Sequence, residues 1–299
     1  GKYVYDCGNS GKSRFDYQTL SQKRLGEKMM KPIIVRGGGD LATGTIYRLS
    51  KSGYLVIVLE SQKPSAIRRQ VSFCQAVYEG IMEVEGMACT KVESIEKALE
   101  TVEPGKPVLL VDEEAHCIKK YHPQILIDGI LAKKNLGTRR EMADLTIALG
   151  PGFEAGKEVD YVIETKRGHY LGRIIEKGFA IPNTGVPGII GGYGKERVIH
   201  APCRGIFHQH HEIGDWVEAG ESIGWIESEI GIVEVRTEIS GVVRGIIQDG
   251  YEVTEHFKTA DVDPRKESRE YCPLISDKAK CIAGSVLELV CAYEKGMLK

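Results

Sequence analysis

The chain has 299 residues, 42% of them hydrophobic, and its 40 Lys and Arg nearly balance its 42 Asp and Glu, for a formal net charge of −2. This near-neutral balance disfavours nucleic-acid binding as the main role, because a duplex binder needs excess cations to neutralise phosphates. No run of about 18 apolar residues marks a membrane span, and no basic start leads into an apolar signal segment. We therefore expect a cytoplasmic protein that binds neither nucleic acid nor membrane.

The first segment, residues 1–30, is polar and lacks an apolar period. It is interpreted as an N-terminal extension outside the folded domains, with a short arm on a partner subunit as the alternative.

Residues 33–44 then run from an apolar strand through glycines into a helix-like stretch. Gly37 and Gly39, with Ala42 three residues on, fit the pattern G-x-G-x-x-A, in which a glycine turn and a helix N-terminus hold a phosphate. The turn also includes Gly38 and Asp40. A second apolar run ends in Glu60, 23 residues after Gly37, where dinucleotide-binding folds place the acid that takes the ribose hydroxyls. The alternative is that the glycines only cap a strand.

Strands and helices alternate through the next part of the chain. Strands are predicted near 32–36, 54–59, 81–85, 107–112, 145–149 and 159–164, and helices at 41–52, 65–78, 93–102 and 138–143. Such alternation predicts a mostly parallel sheet covered on both faces, and hence a Rossmann-like nucleotide- or cofactor-binding domain over 31–178. Ligands of these sheets bind at the carboxyl ends of the strands. That rule places Gly37–Gly39, Glu60 and the loop containing Gly150 and Gly152 on one rim.

Polar groups concentrate at the end of the last of these strands. Arg167 and Arg173 could clamp a phosphate or carboxylate through bidentate hydrogen bonds, and His169 could act as a general acid or base. The alternative is a surface turn with ion-paired arginines. Arg68 and Arg69 could face the same rim or be solvated, and Cys74 could be a reactive or a buried thiol.

After about residue 178, glycine-rich turns and short segments of alternating polarity predict a small all-β domain over 179–270. Its half-units, 201–217 and 238–253, resemble the barrel-sandwich domain of biotinyl and lipoyl carriers. The stretch between them, 228–233, has no lysine to modify, so a carrier is excluded and a docking or structural module is expected. Residues 271–299 include apolar positions at helical spacing, which predict a C-terminal helix packing back on the first domain, with a dimer helix as the alternative.

A metal site is not expected. The eight cysteines include no C-x-x-C pair, which is the spacing of zinc sites, and most are interpreted as core residues. The one histidine cluster could bind a metal, but in a strand His208 and His210 would share one face and His211 would not, and no acidic or cysteine partner has a matching spacing.

Several motifs occur together and in order along the chain. They are Arg36–Gly44 (RGGGDLATG), Gly150–Phe153 (GPGF), Arg167–His169 with Leu171–Arg173 (RGH and LGR), Asn183–Gly188 (NTGVPG) and Asp261–Arg265 (DVDPR). In this combination the chain, over roughly 31–295, resembles the YqeB-type selenium-dependent molybdenum hydroxylase system proteins. The resemblance implies a role in maturing such hydroxylases and a distant likeness to xanthine dehydrogenase accessory proteins, which have a Rossmann-type domain and handle molybdenum cofactor. Residues 1–30 precede the usual start of the family.

The expected function is that of an accessory protein that binds molybdopterin cofactor or an adenine nucleotide at the rim, for modification of the cofactor or its delivery to the hydroxylase apoprotein. A homo-oligomer is one possible state of the protein. No catalytic residue is assigned, so the sequence does not decide whether the protein is an enzyme. The alternatives are an NAD-dependent oxidoreductase and a non-catalytic interaction protein. The expected fold class is a Rossmann-like parallel-sheet domain followed by a small barrel-sandwich-hybrid-like domain and a C-terminal helix.

Overall fold

A computed structural model describes residues 31–183, 185 and 187–298; the predicted extension, residues 1–30, lies outside the described residues. Between residues 31 and 175 the structure has ten strands. They are β1 Ile33–Arg36, β2 Val56–Glu60, β3 Ile81–Val84, β4 Met87–Val92, β5 Val108–Val111, β6 Ile125–Asp128, β7 Leu145–Leu149, β8 Glu154–Ala155, β9 Tyr161–Ile163 and β10 Ile174–Ile175.

Nine of these strands form one sheet in the order β10-β9-β7-β6-β1-β2-β5-β4-β3. The strands from β9 to β4 run parallel, whereas β10 and β3 pair antiparallel at the two edges. β1, β6 and β7 are buried along their whole length, as expected for central parallel strands that are covered on both faces.

Helices pack on the sheet and connect its strands. They are α1 Asp40–Lys51, α2 Ala76–Glu79, α3 Ile95–Thr101, α4 Cys117–Tyr121 and α5 Asp277–Glu294. The long C-terminal helix α5 packs along α1 and also contacts β7 and β9. The approach of the two helices is close because Gly44 has no side chain: a Cβ there would lie 2.8 Å from the Cβ of Ala279. No helix in the described part of the chain is long and apolar enough to cross a bilayer.

The rest of the chain is rich in short strands. They are β11 Gly178–Phe179, β12 Val198–His200, β13 Gly205–Gln209, β14 Trp216–Val217, β15 Ser222–Ser228, β16 Gly231–Arg236, β17 Gly241–Ile246, β18 Tyr251–Val253 and β19 Lys258–Asp263. β11 pairs with β8, and the others form two four-stranded antiparallel sheets, β12-β19-β17-β14 and β16-β15-β13-β18. The two half-units pair reciprocally, β13 with β18 and β14 with β17. Both sheets share one apolar core that includes Phe207, Ile223 and Val243.

The predicted fold class is therefore wrong. The first sheet is not a parallel Rossmann-like sheet but a mixed sheet of nine strands, and the all-β part is a pair of four-stranded antiparallel sheets around one core rather than the predicted barrel-sandwich module. The prediction omitted β4, β6, β8 and β10. β3 and β4 form a tight antiparallel hairpin around Glu85 and Gly86, both with positive φ. The predicted alternation of strands and helices did not include this hairpin.

The segment 65–78, predicted as a helix, is mostly irregular. It forms two short 3₁₀ turns, Arg69–Val71 and Phe73–Gln75, before α2. Tertiary hydrogen bonds replace the helical ones: the Ile246 N–H donates to the Ile67 carbonyl at 2.9 Å, and Arg69 Nε donates to the Ile246 carbonyl at 2.9 Å. Arg69 also donates to Gln209 and Gln248. This segment therefore joins the nine-stranded sheet to the antiparallel sheets.

Candidate anion-binding site

The glycine turn after β1 is a place of close backbone contact. Gly37 has φ +89, and a Cβ there would lie 2.9 Å from the Cα of Ile130. A Cβ on Gly38 would lie 2.9 Å from the amide nitrogen of Cys74, whose N–H donates to the Gly38 carbonyl at 2.9 Å. Both positions require glycine, and the segment around Cys74 covers the face of the turn at Gly38.

Glu60 is turned towards this glycine turn. Its carboxylate accepts hydrogen bonds from the Gly38 N–H at 2.7 Å and from the Ser61 N–H at 2.8 Å. Burial raises the pKa of Glu60, against the lowering effect of the hydrogen bonds from Ser61 and Gly38. The acid predicted to take a ribose is thus bound to the protein's own backbone, and the Gly38 amide is already satisfied.

The N-terminus of α1 remains accessible one residue further on. Gly39 is the N-cap of α1, with φ −66 and no side-chain hydrogen bond to the first turn. In the part of the chain that the structure describes, a Cβ on Gly39 would meet nothing within 4 Å. The first backbone N–H groups of a helix have no intrahelical acceptor and carry a partial positive charge, so this end of α1 suits an anion.

A cavity of about 290 Å³ lies at this helix terminus. It is bordered by Asp40 and Leu41 of α1, by 66–68, by the start of α5 and by side chains from β17 and β19. Five cationic side chains against two carboxylates line it. The cations are Arg68, Arg167, Arg244, Lys258 and Lys278, and the acids are Asp40 and Asp261. We call it the anion cavity.

Arg68 is the buried cation of the anion cavity. It is 8% exposed, and its Nε has no acceptor within the described residues. Its other contacts are long, 3.7 Å from Nη1 to Asp40 Oδ2 and 3.4 Å from Nη2 to the Leu274 carbonyl. Burial first, and then the neighbouring Arg244 charge, lowers the pKa of Arg68. Two guanidinium groups so placed repel one another, which an anion bound between them would relieve.

The carboxylate nearest to Arg244 does not neutralise it fully. Asp261 accepts from Arg197 Nη2 at 2.8 Å and lies 3.2 Å from Arg244 Nη1. One carboxylate therefore serves two guanidinium groups, which leaves positive charge on the wall formed by β17 and β19.

The start of α5 adds further charge. Arg167 is paired with Asp277 at 2.9 Å and lowers the pKa of that carboxyl. Burial, and then the Arg167 charge, lowers the pKa of Lys278. Within the described residues neither Lys278 nor Lys258 has a carboxylate within 4.0 Å, so both ammonium groups are available to an anion.

The predicted site residues divide into four groups. Asp40 and Arg167 line the anion cavity, and Gly37–Gly39 with Glu60 form the turn beside it. Gly150 has φ +80 and lets the end of β7 pack on Thr165, and Gly152 has φ +112 beside Lys134, so both shape their loop. His169 and Arg173 are exposed and do not line the cavity. The Arg173 guanidinium lies over the Tyr170 ring, 5.1 Å from its centroid.

Cys74 is a buried thiol beside the turn. Burial, and then the charges of Glu60 and Asp40, raises its pKa well above the usual value. A thiol with a raised pKa is protonated at neutral pH and a poor nucleophile, so the structure favours the buried interpretation over the reactive one.

The histidine cluster has its own partners. His208 stacks on Trp225 at 4.2 Å and lies 3.5 Å from Asp249, and His211 lies 3.1 Å from Glu221. Within the residues that the structure covers, no three or more His, Cys, Asp or Glu side chains are arranged to hold a metal ion.

Most of the cavity's cations were missed by sequence reasoning. Arg244, Lys258 and Lys278 carry no local pattern that separates them from solvated charges. Asp261 was a partial signal, since it begins the DVDPR motif, yet nothing in that motif indicates a charge shared by two arginines.

No protein-family model matches the chain. Solved structures give only weak likenesses: a succinylglutamate desuccinylase/aspartoacylase from Rhodobacter sphaeroides (13% identity, 79% of this chain and 86% of the other, TM-score 0.25) and the product-bound ectoine utilization protein EutE (DoeB) from Ruegeria pomeroyi (11% identity, 79% and 86%, TM-score 0.27). TM-scores this low do not establish a shared fold.

A curated relative gives a much stronger match. The chain is 45% identical over 271 residues to the uncharacterized protein YqeB of Escherichia coli (strain K12), an alignment that covers 88% of this chain and 49% of the relative. The chain thus spans about half the length of the relative. Over most of its residues, the chain is similar to one half of a YqeB-type protein.

Proposed function

We propose that the chain is an accessory protein that binds a phosphate-bearing cofactor, molybdopterin cofactor or an adenine nucleotide, in the anion cavity. It would modify this cofactor or deliver it to the apoprotein of a selenium-dependent molybdenum hydroxylase. The observation that carries the binding proposal is the excess of cations around the open N-terminus of α1, with buried Arg68 short of acceptors. The hydroxylase role rests on the resemblance of the motifs, one of which supplies Asp261.

The residues present fit a phosphate group. The first amides of α1 would donate to its oxygens, and Arg68 and Arg244 would bind them with guanidinium hydrogen bonds that match phosphate geometry. Lys278 would add a point charge from α5. Binding by these groups would orient the phosphate and leave the rest of the cofactor outside the cavity.

The NAD-dependent alternative loses support from the turn itself. Glu60 is engaged with the Gly38 and Ser61 amides, and His169, the one acid/base candidate, lies outside the cavity.

Titration with NADH is expected to leave the nicotinamide fluorescence unchanged, and a saturable change would revive this alternative.

Mass spectrometry of small molecules released from freshly purified protein tests the cofactor class directly. The expected result is a stoichiometric phosphate-bearing compound with the mass of a pterin cofactor or an adenine nucleotide. Loaded protein should also activate a separately purified hydroxylase apoprotein. Co-purification with the hydroxylase in the absence of any bound small molecule would instead support a non-catalytic interaction protein.

Replacing Gly39 by aspartate is expected to abolish retention of this compound while the fold persists. A Cβ at Gly39 would have no atom of the described residues within 4 Å, and Asp is a good N-cap, so stability should change by only a few tenths of a kcal/mol. The new carboxylate would accept from the α1 amides and repel the phosphate. Gly39→Asn is the matched control, since it caps equally well without charge and should retain more ligand. Equal ligand content in wild type and Gly39→Asp would remove the α1 terminus from the site.

A further inference from the structure

We propose that the anion cavity receives a terminal phosphate, the dianionic end of a phosphate monoester or diphosphate, and does not bind the internal diphosphate of a dinucleotide. This inference rests on the proposed function and narrows it, because it states which end of the ligand enters the cavity and how that end is charged.

The path that an internal diphosphate would take across the glycine turn is occupied. The Gly38 N–H already donates to Glu60. The amide of Cys74 donates to the Gly38 carbonyl and would lie 2.9 Å from a Cβ on Gly38. A dinucleotide needs backbone close to its diphosphate and an acid free for its ribose, and neither is available here. The amides that have no intrahelical acceptor are those of the first turn of α1, beyond Gly39.

The size of the cavity favours a head group. Sites that enclose a whole drug-sized ligand measure about 300–1,000 Å³, and this one, at about 290 Å³, lies just below that range. It also has cations on several walls, from 66–68, β17 and α5. A phosphate that ends a molecule can contact all of these walls, whereas a phosphate in the middle of a chain must leave two of its directions to the flanking groups.

The charge of the cavity favours a dianion. Asp261 is shared between Arg197 and Arg244, Asp40 lies 3.7 Å from Arg68, and Lys278 has no carboxylate within reach among the described residues. More than one positive charge is therefore left unmatched. A phosphate monoester carries close to two negative charges above its second pKa of about 6, whereas a diester carries one.

Methyl phosphate and dimethyl phosphate test the inference on the whole chain, freed of bound ligand, by phosphorus NMR titration at pH 8. These probes carry no organic part that needs recognition and differ in terminal charge. Methyl phosphate is expected to bind at least about tenfold tighter than dimethyl phosphate. Arg68→Met and Arg244→Gln should each reduce that ratio several-fold. Arg244→Gln leaves Asp261 paired with Arg197, so this variant is expected to fold and keeps the test valid if Arg68→Met does not.

Arg204→Met is the matched control, because Arg204 is exposed and paired with Glu252 away from the cavity; it should keep the wild-type ratio. Equal affinities for the two probes, or no binding of either, would overturn the inference, as would a ratio that survives both cavity variants. The proposed function is judged separately by the mass of the released compound: a mononucleotide or pterin phosphate agrees with both proposals, and a dinucleotide overturns this one alone.

Discussion

Replacing Asp128 by alanine is expected to lower the free energy of unfolding by about 3–5 kcal/mol, the cost of leaving a buried charge without its partner. Asp128 ends β6 directly beside Arg36 at the end of β1, and the two are 2% and 3% exposed. Thr138 bridges them: Arg36 Nη1 donates to Thr138 Oγ1 at 2.7 Å, and that hydroxyl donates to Asp128 Oδ2 at 2.5 Å. Burial raises the pKa of Asp128, and the Thr138 hydrogen bond and the Arg36 charge oppose this.

Urea denaturation of the ligand-free protein measures this cost. Asp128→Asn is the matched control, because it keeps the volume and an acceptor for Thr138 but removes the charge, so it should cost less than alanine. The double variant Arg36→Met/Asp128→Leu should cost less than the sum of its single variants, since no unpaired charge remains. A loss below about 1 kcal/mol in Asp128→Ala would contradict the assignment of this pair as a structural support of the rim.

The local part of this architecture could be predicted from sequence. The apolar run of β1, the glycine turn, α1 and β2 lie within 28 residues, Ile33–Glu60, and the structure has each element close to its predicted position. The positions of Gly37 and Gly38 follow from the same pattern, because close backbone contact is what a glycine turn provides. Short-range patterns of this kind are fixed by residues that are near one another in the chain.

The elements that failed depend on partners far away in sequence. Residues 65–78 have helical spacing, yet the Phe73 N–H donates to the Thr43 hydroxyl and Arg69 is bound to the Ile246 carbonyl. These contacts stabilise a non-helical path more than the helix's own hydrogen bonds would. Sheet order is non-local in the same way, so the antiparallel edge strands β3 and β10 could not be read from alternation alone.

The same reasoning explains the site. The predicted anion site at the start of α1 needed only the glycine turn, but its cations come from segments up to about 200 residues apart in sequence. The sequence left Arg68 between two interpretations, because its neighbours Leu274 and Arg244 are far away in the chain. Arg173 and His169 follow a strand of the correct sheet, but their loop exposes them to solvent. Glu164 fixes the start of this loop, because its carboxylate accepts hydrogen bonds from the Lys166 and Ile181 amides.

Replacing Gly44 by alanine is expected to separate α1 from α5 and to weaken anion binding at their shared end. The new Cβ would lie 2.8 Å from the Ala279 Cβ and 2.9 Å from the Ala279 carbonyl oxygen, so backbone has to move. Overpacking of this kind costs about 1–3 kcal/mol. Because Asp40 and Leu41 of α1 border the same cavity as Lys278 of α5 and Ser276, the N-cap of α5, the movement also separates the groups that would bind one phosphate.

Gly284→Ala on α5 separates this packing effect from helix propensity. A Cβ on Gly284 would meet no described residue within 4 Å, so this variant gains the propensity of alanine, about 1 kcal/mol, without a clash. The same gain applies to Gly44→Ala, and the difference in unfolding free energy between the two variants therefore measures the overpacking alone, expected at about 1–3 kcal/mol. Methyl phosphate affinity should fall several-fold in Gly44→Ala and stay at the wild-type value in Gly284→Ala. Unchanged affinity in Gly44→Ala, together with the stability loss, would mean that α5 supports the fold but takes no part in positioning the anion.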